Sequence, residues 1–133
     1  MSSAGPPTRS ASRADSFRFA FAGCWHLLKT QPNARIHLAI TCAVIIMGLW
    51  LGLGMTEWAI LWLAIGLVFA SELFNSALEA AVDITTPEFH PLAKAAKDMG
   101  AGAVLVSACT AVIVGLLILG PPLIERLIDW VIG

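Results

Sequence analysis

Three stretches of this chain run for about twenty residues each with almost no charge, and that restricts the fold more than any motif does. They cover about residues 35–54, 57–82 and 99–119. Roughly twenty apolar residues in a helix cross the ~30 Å hydrocarbon core of a bilayer. Within hydrocarbon the backbone polar groups must be satisfied by the segment itself, so runs of this length read as transmembrane helices. Of the 133 residues, 58% are hydrophobic and 13% are charged, against about a quarter charged in a soluble domain. A chain so short and so apolar is an all-α membrane domain, not a globular enzyme with a large core. The formal net charge of -1 offers no field for nucleic acid, and no nucleic-acid partner is expected.

The flanks complete the outline. Residues 1–12 are small, polar and Pro-containing, and residues 1–14 read as a disordered terminus. From Asp15 to Thr30, Phe17, Phe21, Cys24, Trp25 and Leu28 recur at helical spacing. This segment, 15–30, reads as an amphipathic helix on the membrane surface, capped by Asp15 or Ser16. Gln31-Pro32-Asn33 breaks it. Gly52 to Thr56 reads as a tight turn, with Thr56 capping the second span. Gly120-Pro121-Pro122 ends the third, and 121–133 becomes a short second interfacial segment. Ala103, Ser107, Ala111 and Gly115 give the third span a small-residue face. Cys24, Cys42 and Cys109 form no CxxC and no complete disulfide set.

Basic residues set the orientation. Five of the eight (Arg9, Arg13, Arg18, Lys29, Arg35) precede the first apolar run, and Lys94 and Lys97 lie in the second loop. The positive-inside rule then places the N-terminus and the Glu88–Lys97 loop in the cytoplasm.

The chemistry lies at the end of the second span. Glu72, Asn75, Glu79 and Asp83 fall within ~80° of each other at ~100° per residue, with Ser76 beside them. An ionisable group at mid-bilayer costs roughly 2.5–3.5 kcal/mol on insertion scales, so one polar stripe implies a protein-lined site. A deep carboxylate can take a proton from a hydroxyl. A shallower one can help hold magnesium, which prefers one or two carboxylates plus phosphate oxygens and water. Lys97, paired with Asp98 at the mouth of the third span, can neutralise phosphate. These are recurring parts of phosphoryl transfer. No Gly-rich phosphate loop is present. Spacing alone leaves three readings open: a phosphoryl-transfer site, a proton or ion pathway, and a structural hydrogen-bond network.

Glu72-Leu-Phe-Asn75-Ser-Ala-Leu-Glu79-Ala-Ala-Val-Asp83, followed by Glu88-Phe89-His90-Pro91-Leu92-Ala93-Lys94-Ala-Ala-Lys97-Asp98, resembles the signature of the small prokaryotic integral-membrane diacylglycerol kinase and undecaprenol kinase family. The resemblance covers about residues 16–120. It implies an ATP- and Mg-dependent lipid kinase, a homotrimer with active sites at subunit interfaces, and a lipid alcohol as second substrate. Residue by residue, it implies that Glu72 is the catalytic base and Glu79 a metal-binding carboxylate. Asn75 would orient Glu72 or the phosphate. Lys97 and Asp98 would contact the nucleotide phosphates and metal, and Glu88, Phe89 and His90 would form a nucleotide-contacting loop. Asp83 would support the site.

Two positions depart from the family pattern. Gln31 stands where a metal-binding Glu is common, so it would bring an amide oxygen without charge. Phe19 stands where relatives carry a nucleotide-contacting Tyr, and the hydroxyl is missing. Asn33-Ala-Arg35-Ile-His37-Leu38, Thr56-Glu57-Trp58 and Thr86-Pro87-Glu-Phe-His-Pro91 resemble the undecaprenol kinase branch. The implied substrate is undecaprenol, with diacylglycerol as the alternative.

Overall fold

The structure is a computed structural model that describes residues 12–86 and 88–133. All regular structure among these residues is helical: α1 (Arg13–Thr30), α2 (Pro32–Leu51), α3 (Met55–Thr85) and α4 (Pro91–Ile132). By length and composition α2, α3 and α4 can each cross a membrane. The architecture is the all-α membrane fold expected from the apolar runs, a first helix followed by three spans. Of residues 1–14, expected to be disordered, 1–11 lie outside the described residues, as does Pro87, whereas Ser12 caps α1 and Arg13 and Ala14 form its first turn.

The helix ends differ from expectation in informative ways. Ser12, not Asp15 or Ser16, caps α1. Its Oγ accepts from the Asp15 N–H at 3.3 Å, and the Asp15 carboxylate accepts from the Ser12 N–H at 3.2 Å. This is a capping box, which satisfies two otherwise free donors reciprocally. Gln31 then serves as both the C-cap of α1 and the N-cap of α2, with Pro32 in the first turn, where its missing N–H costs nothing.

α2 closes on Gly52, whose φ of 73° is left-handed. The N–H of Leu53 donates to Gly48 O at 3.2 Å and that of Gly52 to Leu49 O at 3.3 Å. These bonds satisfy the last carbonyls of the helix. α3 begins immediately after Gly54, which occupies the cap position in place of Thr56.

The largest correction concerns α4. It starts at Pro91, well before Met99, so Lys94, Lys97 and Asp98 stand on its first two turns and not in a loop. His90 is its cap: Nδ1 accepts from the Leu92 N–H at 3.2 Å. At the other end the helix continues through Pro121 and Pro122 to Ile132, 42 residues in all. Proline usually ends a helix by clashing with the preceding residue and turn. Here the residue before the pair is Gly120, which has no Cβ to meet the first ring. The 121–133 segment is therefore a continuation of α4, not a separate interfacial helix.

Packing is concentrated between α3 and α4, with α2 against both. Leu51, Leu61 and Leu119 form the buried apolar cluster, with Val44, Met47, Trp58 and Leu123 around it. Gly48 is buried because the Trp58 ring lies where its side chain would be. Beyond this core, large apolar side chains face outward on every helix, including Phe17, Phe21, Ile46, Leu63, Leu105 and Leu116. A water-soluble monomer does not sustain that much contiguous apolar surface. Lipid, or other apolar helices, must cover it.

Gly52→Ala is expected to destabilise the fold by about 1 kcal/mol, since a Cβ disfavours the left-handed backbone. Gly66→Ala, in mid-helix with open space around it, should be neutral or stabilising. Thermal unfolding of the two variants in detergent micelles checks both.

Candidate functional site

The polar stripe sits on one side of α3 and becomes progressively wetter toward the C-terminal end. Glu72 is 3% exposed. Asn75, Ser76 and Glu79 are half-buried, and Asp83 is exposed. Asn75 Nδ2 donates to Glu79 Oε1 at 3.1 Å, one turn along the helix. The amide therefore supports Glu79, whereas the sequence linked it to Glu72 or phosphate.

Glu72 is met from α2. His37 Nε2 lies 3.3 Å from Glu72 Oε1, but the ring is not aligned for a hydrogen bond, and Oε1 is enclosed without a donor. In the sequence His37 stood out only as part of the stretch that resembles the undecaprenol kinase branch. Its one available signal was an ionisable residue inside an apolar run.

α4 meets the stripe through a glycine. A Cβ on Gly100 would collide with Asn75 Oδ1 and come within 3.1 Å of Leu78 Cδ2. The close approach of the two helices at this level depends on the missing side chain. Among the small residues expected to form a contact face, Ser107 is buried and bonds back to Ala103 O at 2.9 Å. Ala111 and Gly115 instead border a cavity.

The charged pairs are partnered differently from expectation. Lys97 reaches across to Asp83 on α3, Nζ to Oδ1 at 2.9 Å. Asp98 is held by Lys94 on its own helix. Lys97 and Asp98 cannot pair side by side, because neighbours on a helix diverge by ~100°. Lys97 thus ties α4 to the outer end of the stripe, while Asp98 is exposed and away from it.

Two cavities flank the stripe. A polar one of about 400 Å³ lies between α1 and α3, lined by His26, Thr30, Gln31, Ser76, Glu79 and Asp83 among others. The two residues expected to bind metal, Gln31 and Glu79, share it. His26, which drew no attention in the sequence, shares it too. An apolar cavity of about 390 Å³ lies among α2, α3 and α4, with His37, Val68 and Leu116 in its wall. Among the described residues, no three His, Cys, Asp or Glu side chains converge as a self-contained metal site.

The remaining candidates stand apart. Phe19 is 57% exposed with the Arg18 guanidinium 5.3 Å from its ring centre, and it lines neither cavity. Glu88 and Phe89 are exposed between α3 and α4, and His90 is engaged as a helix cap. Within one chain these residues do not converge on Glu72.

The fold and site define a class: a small integral-membrane protein that keeps a buried carboxylate and a polar cavity at one end of its spans. A model of the prokaryotic diacylglycerol kinase family matches residues 18–119. The chain is 48% identical over 108 residues to undecaprenol kinase of Bacillus subtilis, covering 81% of this chain and 88% of that one. It is 46% identical over 114 residues to diacylglycerol kinase of a Synechocystis species, covering 85% of this chain and 65% of that one. It is 41% identical over 76 residues to diacylglycerol kinase of Escherichia coli K12, covering 57% of this chain and 62% of that one.

The chain belongs to the prokaryotic diacylglycerol kinase family. It is a membrane lipid kinase, and a kinase implies the use of ATP. Of the three readings left open by spacing, membership selects phosphoryl transfer.

Gly100→Ala should cost about 1–3 kcal/mol by overpacking the Asn75 contact. Gly102→Ala, with nothing near its Cβ position, is the control. The difference in melting temperature between the two variants in micelles checks the close approach.

Proposed function

We propose that the protein transfers the γ-phosphate of ATP to the hydroxyl of undecaprenol at the cytoplasmic face of the bacterial inner membrane, with Glu72 as the base. The observation that carries this is a carboxylate 3% exposed at the apolar end of a stripe whose other end is in water. Placed where the apolar and the wet parts of the stripe meet, its carboxylate can accept a proton from a lipid hydroxyl that approaches from the apolar side. Removing the lipid O–H proton frees the oxygen to attack the γ-phosphorus, and ADP departs. General-base assistance of this kind contributes typically ~10²–10⁴-fold.

Magnesium fits the residues present. Glu79 has one oxygen committed to Asn75 and a second uncommitted, and Gln31 lines the same cavity. One carboxylate and one amide oxygen suit an ion that keeps water and phosphate oxygens as its other ligands. When bound, it would neutralise charge on the β- and γ-phosphates. Asn75 would hold Glu79 in place, and Asp83 would hold Lys97 near the mouth of the cavity. Lys97, Asp98, Phe19 and the Glu88–His90 loop are proposed to contact the nucleotide.

A homotrimer is part of the proposal. Its support is the outward apolar surface and the dispersal of Phe19, Glu88, Phe89 and Asp98 away from the stripe. Residues that do not converge within one chain can converge between chains. The cytoplasmic orientation is supported by Lys29, Arg35, Lys94 and Lys97, which lie at the same ends of the helices as the stripe. The choice of undecaprenol is supported by the similarity to the Bacillus subtilis enzyme. Diacylglycerol is the second reading, supported by the similarity to the Synechocystis enzyme.

Three measurements test these assignments. Transfer of label from γ-labelled ATP should fall by ~10²-fold or more in Glu72→Gln, with membrane insertion unchanged. Undecaprenol should be phosphorylated faster than diacylglycerol side by side; equal rates would remove the lipid assignment. Gln31→Glu should lower the magnesium concentration needed for half-maximal rate, and an unchanged requirement would place Gln31 away from the ion.

A further inference from the structure

His37 is a polar side chain from α2 that the proposed chemistry leaves without a task. Two independent observations give it one. Its Nε2 lies 3.3 Å from Glu72 Oε1, with the two side chains 20% and 4% exposed. The same ring forms part of the wall of the apolar cavity, one helical turn from Glu72 through Val68.

Glu72 Oε1 is enclosed and has no aligned donor. An ionised oxygen in that condition is strongly unfavourable, and a small rotation of the imidazole supplies the missing bond. Catalytic hydrogen bonds are often long or poorly aligned before substrate binds and tighten afterwards. Burying an imidazole in a span is itself costly, and the adjacent carboxylate offsets that cost.

We propose that His37 is the positioning residue for the base: Nε2–H donates to Glu72 Oε1 and fixes the carboxylate, leaving its other oxygen to accept the lipid hydroxyl proton. The inference rests on the reading of Glu72 as base. His37 exchanges no proton with substrate. It acts by holding one oxygen so that the other has a single orientation. Its place in the cavity wall also means that an apolar chain seated there lies against the residue that orients the base.

The test uses the full chain in detergent micelles, with undecaprenol and γ-labelled ATP. His37→Gln keeps an N–H donor at about the reach of Nε2, and His37→Leu removes the donor. A hydrogen bond to a charged group is worth enough to predict a ~10–100-fold fall in kcat for His37→Leu. KM for lipid and for ATP should stay within about twofold, and His37→Gln should recover kcat to within about threefold, as expected for a role confined to the reacting state. His37→Leu placed in Glu72→Gln should cause no further loss of the residual rate, because it acts through that carboxylate. If the Leu variant does not assemble, His37→Asn, whose amide falls short of Oε1, supplies the same contrast with His37→Gln.

Wild-type kcat in His37→Leu would overturn the inference. So would equal losses in the donor and donor-free variants, a loss confined to KM, or a full additional loss in the double variant. A Glu72→Gln protein with undiminished rate would sink the base reading itself. Loss of activity in Glu72→Gln beside an unaffected His37→Leu would sink only the role of His37.

Discussion

Everything at the working end of this protein depends on keeping a carboxylate almost wholly out of water in a helix whose first half is apolar. A group in that position is expensive and survives only where protein, not lipid, surrounds it. The surrounding is supplied by two helices with different means. α2 contributes a polar partner, His37. α4 contributes the lack of a side chain, Gly100, which lets it close over Asn75 and shield the level just beyond Glu72.

The stripe is therefore graded, and the grading divides its labour. Glu72, deepest, touches the imidazole. Glu79, one step out, is supported by Asn75 and opens on the polar cavity beside α1. Asp83, outermost, is in water and holds Lys97. The same order of decreasing burial suits a reaction whose one substrate is greasy and whose other is highly charged. A membrane lipid alcohol and a nucleotide can approach from opposite ends without either entering the wrong solvent.

Much of this was legible in the sequence. Three long apolar runs can form little other than spanning helices, and acidic residues at helical spacing can only share a face. What was not legible depends on distances between elements. His37 and Glu72 belong to different helices, and no spacing rule relates them. Gly100 was not singled out, because only the presence of Asn75 where its Cβ would stand gives it a role. Lys97 and Asp98 were read as a pair because they are adjacent. Once Pro91 is seen to start α4, adjacency on a helix separates them, and each finds a partner elsewhere. The proline pair misled in the opposite direction. A rule drawn from isolated helices ended α4 at Gly120, where packing of Leu119 and Leu123 on the core carries it onward.

That uninterrupted helix leaves a gap in its own ladder. Pro121 and Pro122 have no N–H, so the carbonyls four residues earlier, on Leu117 and Ile118, receive no bond from them. A carbonyl without a ladder partner must find a donor in water, a side chain or a neighbouring helix. Whatever covers this end of α4 therefore has to offer hydrogen bonds as well as apolar contact.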